Sequence, residues 1–250
     1  MKGELKIDCA VIGGTGLYEL DGFEEVERRR LVTRWGKPSS EIIIMKSAET
    51  HVAFLARHGF NHDIPPHKVN YRANLWALKE YGVKKIIAVA AVGGIGNNMS
   101  PESIVIPDQL IDYTYGRQHT FFEAEDEPVV HIDFTEPYSS SLRDDLLAAA
   151  KQHAIEAIDG GVYAATQGPR LETAAEVQRL KRDGADIVGM TGMPEAALAR
   201  EIELEYACCA LVVNWGAGCA GTHKIDHDEM QGIVDKGMVQ VKSLLKQLIK

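Results

Sequence analysis

Short apolar runs bounded by glycines and polar turns recur along this chain, at residues 7–12, 41–45, 52–56, 86–92, 161–166, 187–190 and 206–214. Their length and β-branched content predict buried strands. Between several of them the apolar positions shift to helical spacing. Residues 71–81 place Leu75, Ala77 and Leu78 on one stripe, 142–153 is Ala/Leu-rich, 172–183 is amphipathic, and 194–203 opens on a helix-compatible proline, Pro194. A last helix is predicted over 226–248, carrying Met230, Ile233, Val234, Met238, Val241, Leu244, Leu245 and Leu248 on one face. Strands interleaved with helices predict an α/β fold, a three-layer αβα sandwich around a mixed central sheet. No linker or internal repeat divides the chain, so a single domain spanning 1–250 is expected. Residues 114–137 follow no period and mix aromatic, acidic and histidine side chains, which predicts a long functional loop.

Composition narrows the function classes. The 250 residues are 45% hydrophobic and 25% charged, as in ordinary globular proteins, and the formal charge of −9 argues against nucleic acid or an anionic membrane as main partner. No apolar run approaches the ~20 residues that span a bilayer. The opening Met-Lys-Gly-Glu leads straight into a strand-like run and does not resemble a secretory leader. Cys9, Cys208, Cys209 and Cys219 lack CxxC spacing. They read as reduced thiols of a cytoplasmic protein.

Candidate chemistry gathers at strand exits, where α/β sheets place their ligands. Gly13-Gly14-Thr15-Gly16 follows the first strand, and its backbone N–H groups and hydroxyl could cradle a small anion; a tight turn explains it equally well. Its spacing fits neither the dinucleotide fingerprint nor a P-loop. Arg57-His58 ends another strand, with a guanidinium fork suited to phosphate, or else a surface ion pair beside a packed histidine. Val92-Gly93-Gly94-Ile95-Gly96 is a third glycine-rich exit. In Gly189-Met190-Thr191-Gly192-Met193-Pro194-Glu195 a strand leads to a hydroxyl and then a helix start, which favours an anion. Glu172, in Gln167-Gly168-Pro169-Arg170-Leu171-Glu172-Thr173, reads most simply as a first-turn acid on the helix dipole. Asn214 offers an amide that both donates and accepts. His58, His62 and His67 fit no zinc pattern, so no metal is expected.

These motifs, with Val69 to Leu78, resemble in order and spacing the trimeric purine nucleoside phosphorylase and methylthioadenosine phosphorylase family, across nearly the whole chain. The resemblance implies the nucleoside phosphorylase version of the sandwich, with a partly barrel-like sheet. It implies phosphate binding by Thr15, Arg57, His58 and Thr191 and by backbone around Ala90 and Ala91. Ala90 stands where many members have threonine, so one hydroxyl contact is lost. Met190 is expected under the ribose, and Leu171 against the base in place of the usual phenylalanine. Trp215 and Gly216 are expected near the substrate, and His131 to reach into a neighbouring subunit's site. A homotrimer follows, as does catalysis by Asn214 and His58 with inorganic phosphate as co-substrate and no cofactor.

The base edge follows from hydrogen-bond complementarity. A 6-oxopurine presents an N1–H donor and an O6 acceptor, and a 6-aminopurine the reverse. Adenine-specific members carry aspartates at the positions of Asn214 and Gly216, and members that take 6-oxopurines pair asparagine with a glutamate, as Asn214 and Glu172 do here. The sequence is most similar to bacterial S-methyl-5′-thioinosine phosphorylases, which implies an apolar pocket for a methylthio group. His227 aligns with the residue that meets the 5′ substituent and is histidine in inosine and guanosine enzymes. A nucleoside hydrolase and a non-catalytic binding module are the rival expectations.

Overall fold

The computed structural model describes residues 7, 9–14, 17, 20, 22–48, 50–124, 128–221 and 227–249, except the side chains of His227 and Glu229. Thr15 and the side chain of His227 therefore lie outside the described residues. Eleven strands belong to one sheet: β1 (Cys9–Gly13), β2 (Glu24–Arg29), β3 (Ile42–Ser47), β4 (Thr50–Ala56), β5 (Lys85–Gly94), β6 (Ile104–Ile106), β7 (Gln109–Asp112), β8 (Ala157–Asp159), β9 (Val162–Ala165), β10 (Ile187–Gly189) and β11 (Glu205–Trp215). The helices are α1 (Tyr71–Glu80), α2 (Ser140–Gln152), α3 (Ala174–Arg182), α4 (Gly192–Glu201) and α5 (His227–Leu248).

Strand β5 is the branch point. Along its first half it pairs with β1, and at its end, on Gly93 and Gly94, with β10; β11 runs parallel beside nearly its whole length. Both parallel and antiparallel pairs occur, so the sheet is mixed as expected. The alternation of side chains sorts the core into two layers. Ala10, Ile12, Ala88, Val92, Cys208 and Val212 pack with Leu75 and Leu78 of α1 and Leu198 of α4. Val11, Ile87, Val89, Cys209, Leu211 and Val213 face the other way, onto Leu142 and Leu146 of α2 and Val241, Leu244 and Leu245 of α5. Each fully buried leucine contributes about 1.5–3 kcal/mol, and these stripes hold the helices on the sheet.

Local signals start the helices. The Asn70 side chain accepts from the Ala73 amide ahead of α1, and Ser139 accepts from Leu142 ahead of α2. Thr173 and Glu176 form a reciprocal capping box at α3. Two readings shift. The third helix begins at Ala174, so Glu172 lies before the cap rather than in the first turn. Strand β2 is charged and exposed and lies at the sheet edge, and β6, β7 and β8 are three or four residues long; apolar periodicity marks none of them. From Tyr113 to Ser139 the described residues form neither helix nor strand, in line with the predicted loop.

Candidate active site

Arg57, the β10 exit and Asn214 border the second half of β5. Ala91 is exposed on β5, directly after the buried run from Ile86 to Ala90. Gly94 cannot be larger, because a Cβ there would stand 1.9 Å from the Met99 carbonyl oxygen, and a Cβ on Gly93 would crowd Val188 Cγ1 at 3.1 Å. Antiparallel pairing sets Ile187 opposite Gly94 and Val188 opposite Gly93, so the chain leaving β10 runs back along β5 toward Ala91 and Ala90 as Met190 and Thr191. On the other side, β11 carries a bulge between Val212 and Asn214 that sets Asn214 opposite Gly93 and Trp215 opposite Gly94.

Arg57 leaves β4 beside β1, its amide donating to the Gly13 carbonyl at 3.0 Å. Its buried guanidinium donates through Nε and Nη2 to the two oxygens of Glu195, at 2.8 and 2.7 Å, through Nη1 to the Val89 carbonyl and through Nη2 to that of Ile12. Burial opposes the charge, but the Glu195 carboxylate outweighs it and holds the guanidinium more firmly protonated than usual. The fork read from sequence as an anion clamp thus faces Glu195, which is itself fully buried and also accepts from Tyr206 Oη at 2.9 Å. Among the described residues one Nη1–H takes no partner. His58 Nδ1 lies 2.8 Å from the Ile64 carbonyl, which can only accept, so Nδ1 carries the proton. Burial and the neighbouring Arg57 charge lower its pKa to about 4. The ring is therefore neutral near pH 7, with Nε2 an acceptor.

Thr191 is nearly buried, and Tyr163 Oη stands 3.4 Å from both its amide nitrogen and its Oγ1. Met193 has extended backbone angles (φ −120°, ψ 141°), so regular helix resumes at Pro194, where the sequence placed its start. Buried Arg117, from the long loop, donates to the carbonyls of Thr166, Gln167, Met190 and Met193, and so ties the exits of β9 and β10 together. Tyr206, Tyr163 and Arg117 escaped the sequence reading because their partners lie on other elements of the fold, and Glu195, read only as part of the β10 exit motif, was given no role.

Beyond β9, Glu172 and Thr166 line a cleft of about 280 Å³ with Tyr113, Tyr115 and Gly168. The turn bearing Glu172 is held by Arg170, which pairs in a bidentate manner with Glu176. Met190 packs against Gly168, where a Cβ would stand 2.3 Å from its sulfur. Asn214 donates through Nδ2 to the Trp215 carbonyl at 2.7 Å. Buried Gly216 donates to the Gly94 carbonyl, and a Cβ there would meet Val177 Cγ1 at 3.1 Å and the Gly94 oxygen at 3.2 Å. Leu171 is exposed. Trp215 lines a separate cleft of about 520 Å³ on the other side of α3, and the structure does not bring it to Glu172. His131 stands exposed on the long loop. Among the described residues no cluster of three His, Cys, Asp or Glu could hold a metal, and no helix is long and apolar enough to cross a membrane.

Comparison with known proteins places this geometry. The family model described as "Phosphorylase superfamily" matches residues 8–250. The chain is 55% identical over 240 residues to a "Probable S-methyl-5'-thioinosine phosphorylase" of Pseudomonas syringae pv. tomato, covering 96% of this chain and 97% of that one. It is 43% identical to the "6-oxopurine nucleoside phosphorylase" of Pyrococcus furiosus, with 94% and 89% covered. Among solved structures, methylthioadenosine phosphorylase from Schistosoma mansoni in complex with adenine superimposes with a TM-score of 0.92 at 32% identity, over 98% of this chain and 91% of the other. With its fold and nearly its whole length matched, the chain belongs to the phosphorylase superfamily.

Proposed function

We propose that the protein catalyses phosphorolysis of a 6-oxopurine methylthionucleoside, S-methyl-5′-thioinosine plus phosphate giving hypoxanthine and 5-methylthioribose 1-phosphate. The observation that carries this reading is the anchoring of the Arg57 guanidinium on the Val89 carbonyl of β5, the strand whose Gly93 stands opposite Asn214 of β11. Relatives at 55% and 49% identity bear the methylthioinosine name. A phosphate oxygen attacks C1′ as the C1′–N9 bond breaks, and the bonding electron pair leaves with the purine. The anion is itself the nucleophile, so the chain supplies placement and electrostatics. Arg57 offers one N–H, the backbone at Ala90 and Ala91 and the Thr15 and Thr191 hydroxyls orient the anion, and the neutral His58 Nε2 accepts from a protonated phosphate oxygen. Asn214 turns from the Trp215 carbonyl to hold N7 and O6 of the leaving base.

Glu172 takes the N1–H. Close packing around Gly216 supports the same preference, since an aspartate there would displace Val177 or the Gly94 carbonyl. Met190 lies under the ribose, and Leu171 flanks the base. A 5′-hydroxyl substrate, inosine or guanosine, is the second reading, favoured by the Pyrococcus furiosus relative and by histidine at His227.

The exposed stretch with Val129 at 77%, Val130 at 39% and His131 beside them fits burial against a second copy. We read the assembly as a cytoplasmic homotrimer in which His131 completes a neighbour's site, without cofactor or metal. Release of base from methylthioinosine, inosine and methylthioadenosine, with and without phosphate, tests the function. Strict phosphate dependence and fastest cleavage of methylthioinosine are expected; release without phosphate, or faster cleavage of the adenine compound, overturns it. Sedimentation equilibrium tests the trimer.

A further inference from the structure

Thr166 occupies a fixed position just beyond β9. Its amide donates to the Gly189 carbonyl at 2.8 Å, and its own carbonyl accepts from Arg117 Nη2 at 3.1 Å. Its hydroxyl oxygen lies 2.6 Å from Glu172 Oε1 and 3.2 Å from the Gly189 oxygen. A hydroxyl has one proton to give, and the shorter, charge-assisted contact takes it. Among the described residues this hydroxyl is the one hydrogen-bond donor on the Glu172 carboxylate.

The backbone under Glu172 is already held, by the capping box at Thr173 and by the Arg170–Glu176 pair. The carboxylate, on three rotatable bonds, is not. We propose that Thr166 is the positioning residue that sets base specificity: its hydroxyl binds Oε1, fixes the Glu172 rotamer, and leaves Oε2 as the acceptor for the N1–H of a 6-oxopurine. This inference rests on the base-reading role given to Glu172 above. An adenine nucleoside has no N1–H and gains nothing from the fixed acceptor.

The test compares the unaltered enzyme with Thr166→Val, Thr166→Ser and Glu172→Ala, measuring kcat/KM for methylthioinosine and methylthioadenosine and KM for phosphate. Valine keeps the shape and removes the donor. Thr166→Val is expected to lower kcat/KM for methylthioinosine about tenfold, the worth of one hydrogen bond to a charged group, with little change for methylthioadenosine or for phosphate KM. Thr166→Ser is expected to restore the methylthioinosine value. Equal losses on both nucleosides, or none, overturn the positioning role while Glu172→Ala still impairs methylthioinosine. If Glu172→Ala leaves methylthioinosine cleavage intact, the base reading itself falls and this inference with it.

Discussion

Arg57 and Glu195, 138 residues apart in the chain, meet in a buried two-pronged ion pair, with both carboxylate oxygens held by guanidinium N–H groups at 2.8 and 2.7 Å. The pair aligns the β4 exit with α4, and through α4 with Thr191. It also neutralises the guanidinium, so an anion at the site proposed above would meet one directed N–H rather than a free cation.

Removing one partner strands the other's charge in the interior. Glu195→Ala is expected to destabilise the fold by about 3–5 kcal/mol, read from the urea midpoint, and Glu195→Gln by less because the amide oxygen still accepts. A stability unchanged in both variants would show that Arg57 finds other partners.

His58 makes stability depend on pH. Its folded pKa, about 4, lies below the ~6.5 of an unfolded chain. As pH falls below ~6.5 the unfolded state takes up the proton first, so the stabilisation present above that value is lost progressively down to about pH 4. Thermal midpoints measured from pH 7 to 4 are expected to fall less steeply in His58→Gln than in the unaltered protein. Parallel curves would contradict the neutral, buried imidazole.

Gly189 is a contact glycine. A Cβ there would lie 2.2 Å from Tyr163 Oη and 3.0 Å from Val92 Cγ1. Because Tyr163 Oη holds Thr191, Gly189→Ala is expected both to destabilise by about 1–3 kcal/mol and to raise the KM for phosphate. Lost stability with an unchanged phosphate KM would separate Tyr163 from the anion site.

Asn214→Ala is expected to lower kcat at least ~100-fold, by analogy with losing a donor to a developing negative charge. Phosphate KM is expected to change little. Single-turnover kinetics would check it, and an unchanged kcat would remove Asn214 from leaving-group stabilisation.

Much of the candidate site was legible because it sits on strand exits, where glycine, hydroxyl and charged residues follow an apolar run directly: Arg57-His58, Gly93-Gly94 and Met190-Thr191 each appear as a local pattern. Glu172 was legible as a residue but not as a position. Only the cap at Thr173 puts it outside the helix, and only the Thr166 hydroxyl gives its carboxylate a direction. Strand β2 was invisible because an exposed edge strand of Glu and Arg has no apolar period to display.

By itself the sequence determined the layers and the chemistry at hand. The continuous apolar runs of β1, β5 and β11 mark strands buried on both faces, and the helical stripes of α1 and α5 are local periodicities that set which side each helix buries. Tertiary structure alone decided how those groups are used. The bulge before Asn214, the antiparallel return of β10 along β5 and the Arg57–Glu195 pair all depend on contacts between distant segments. Hydrogen-bond directions and buried charge pairs are settled only when separate strands and helices pack together, and no spacing along a single chain encodes them.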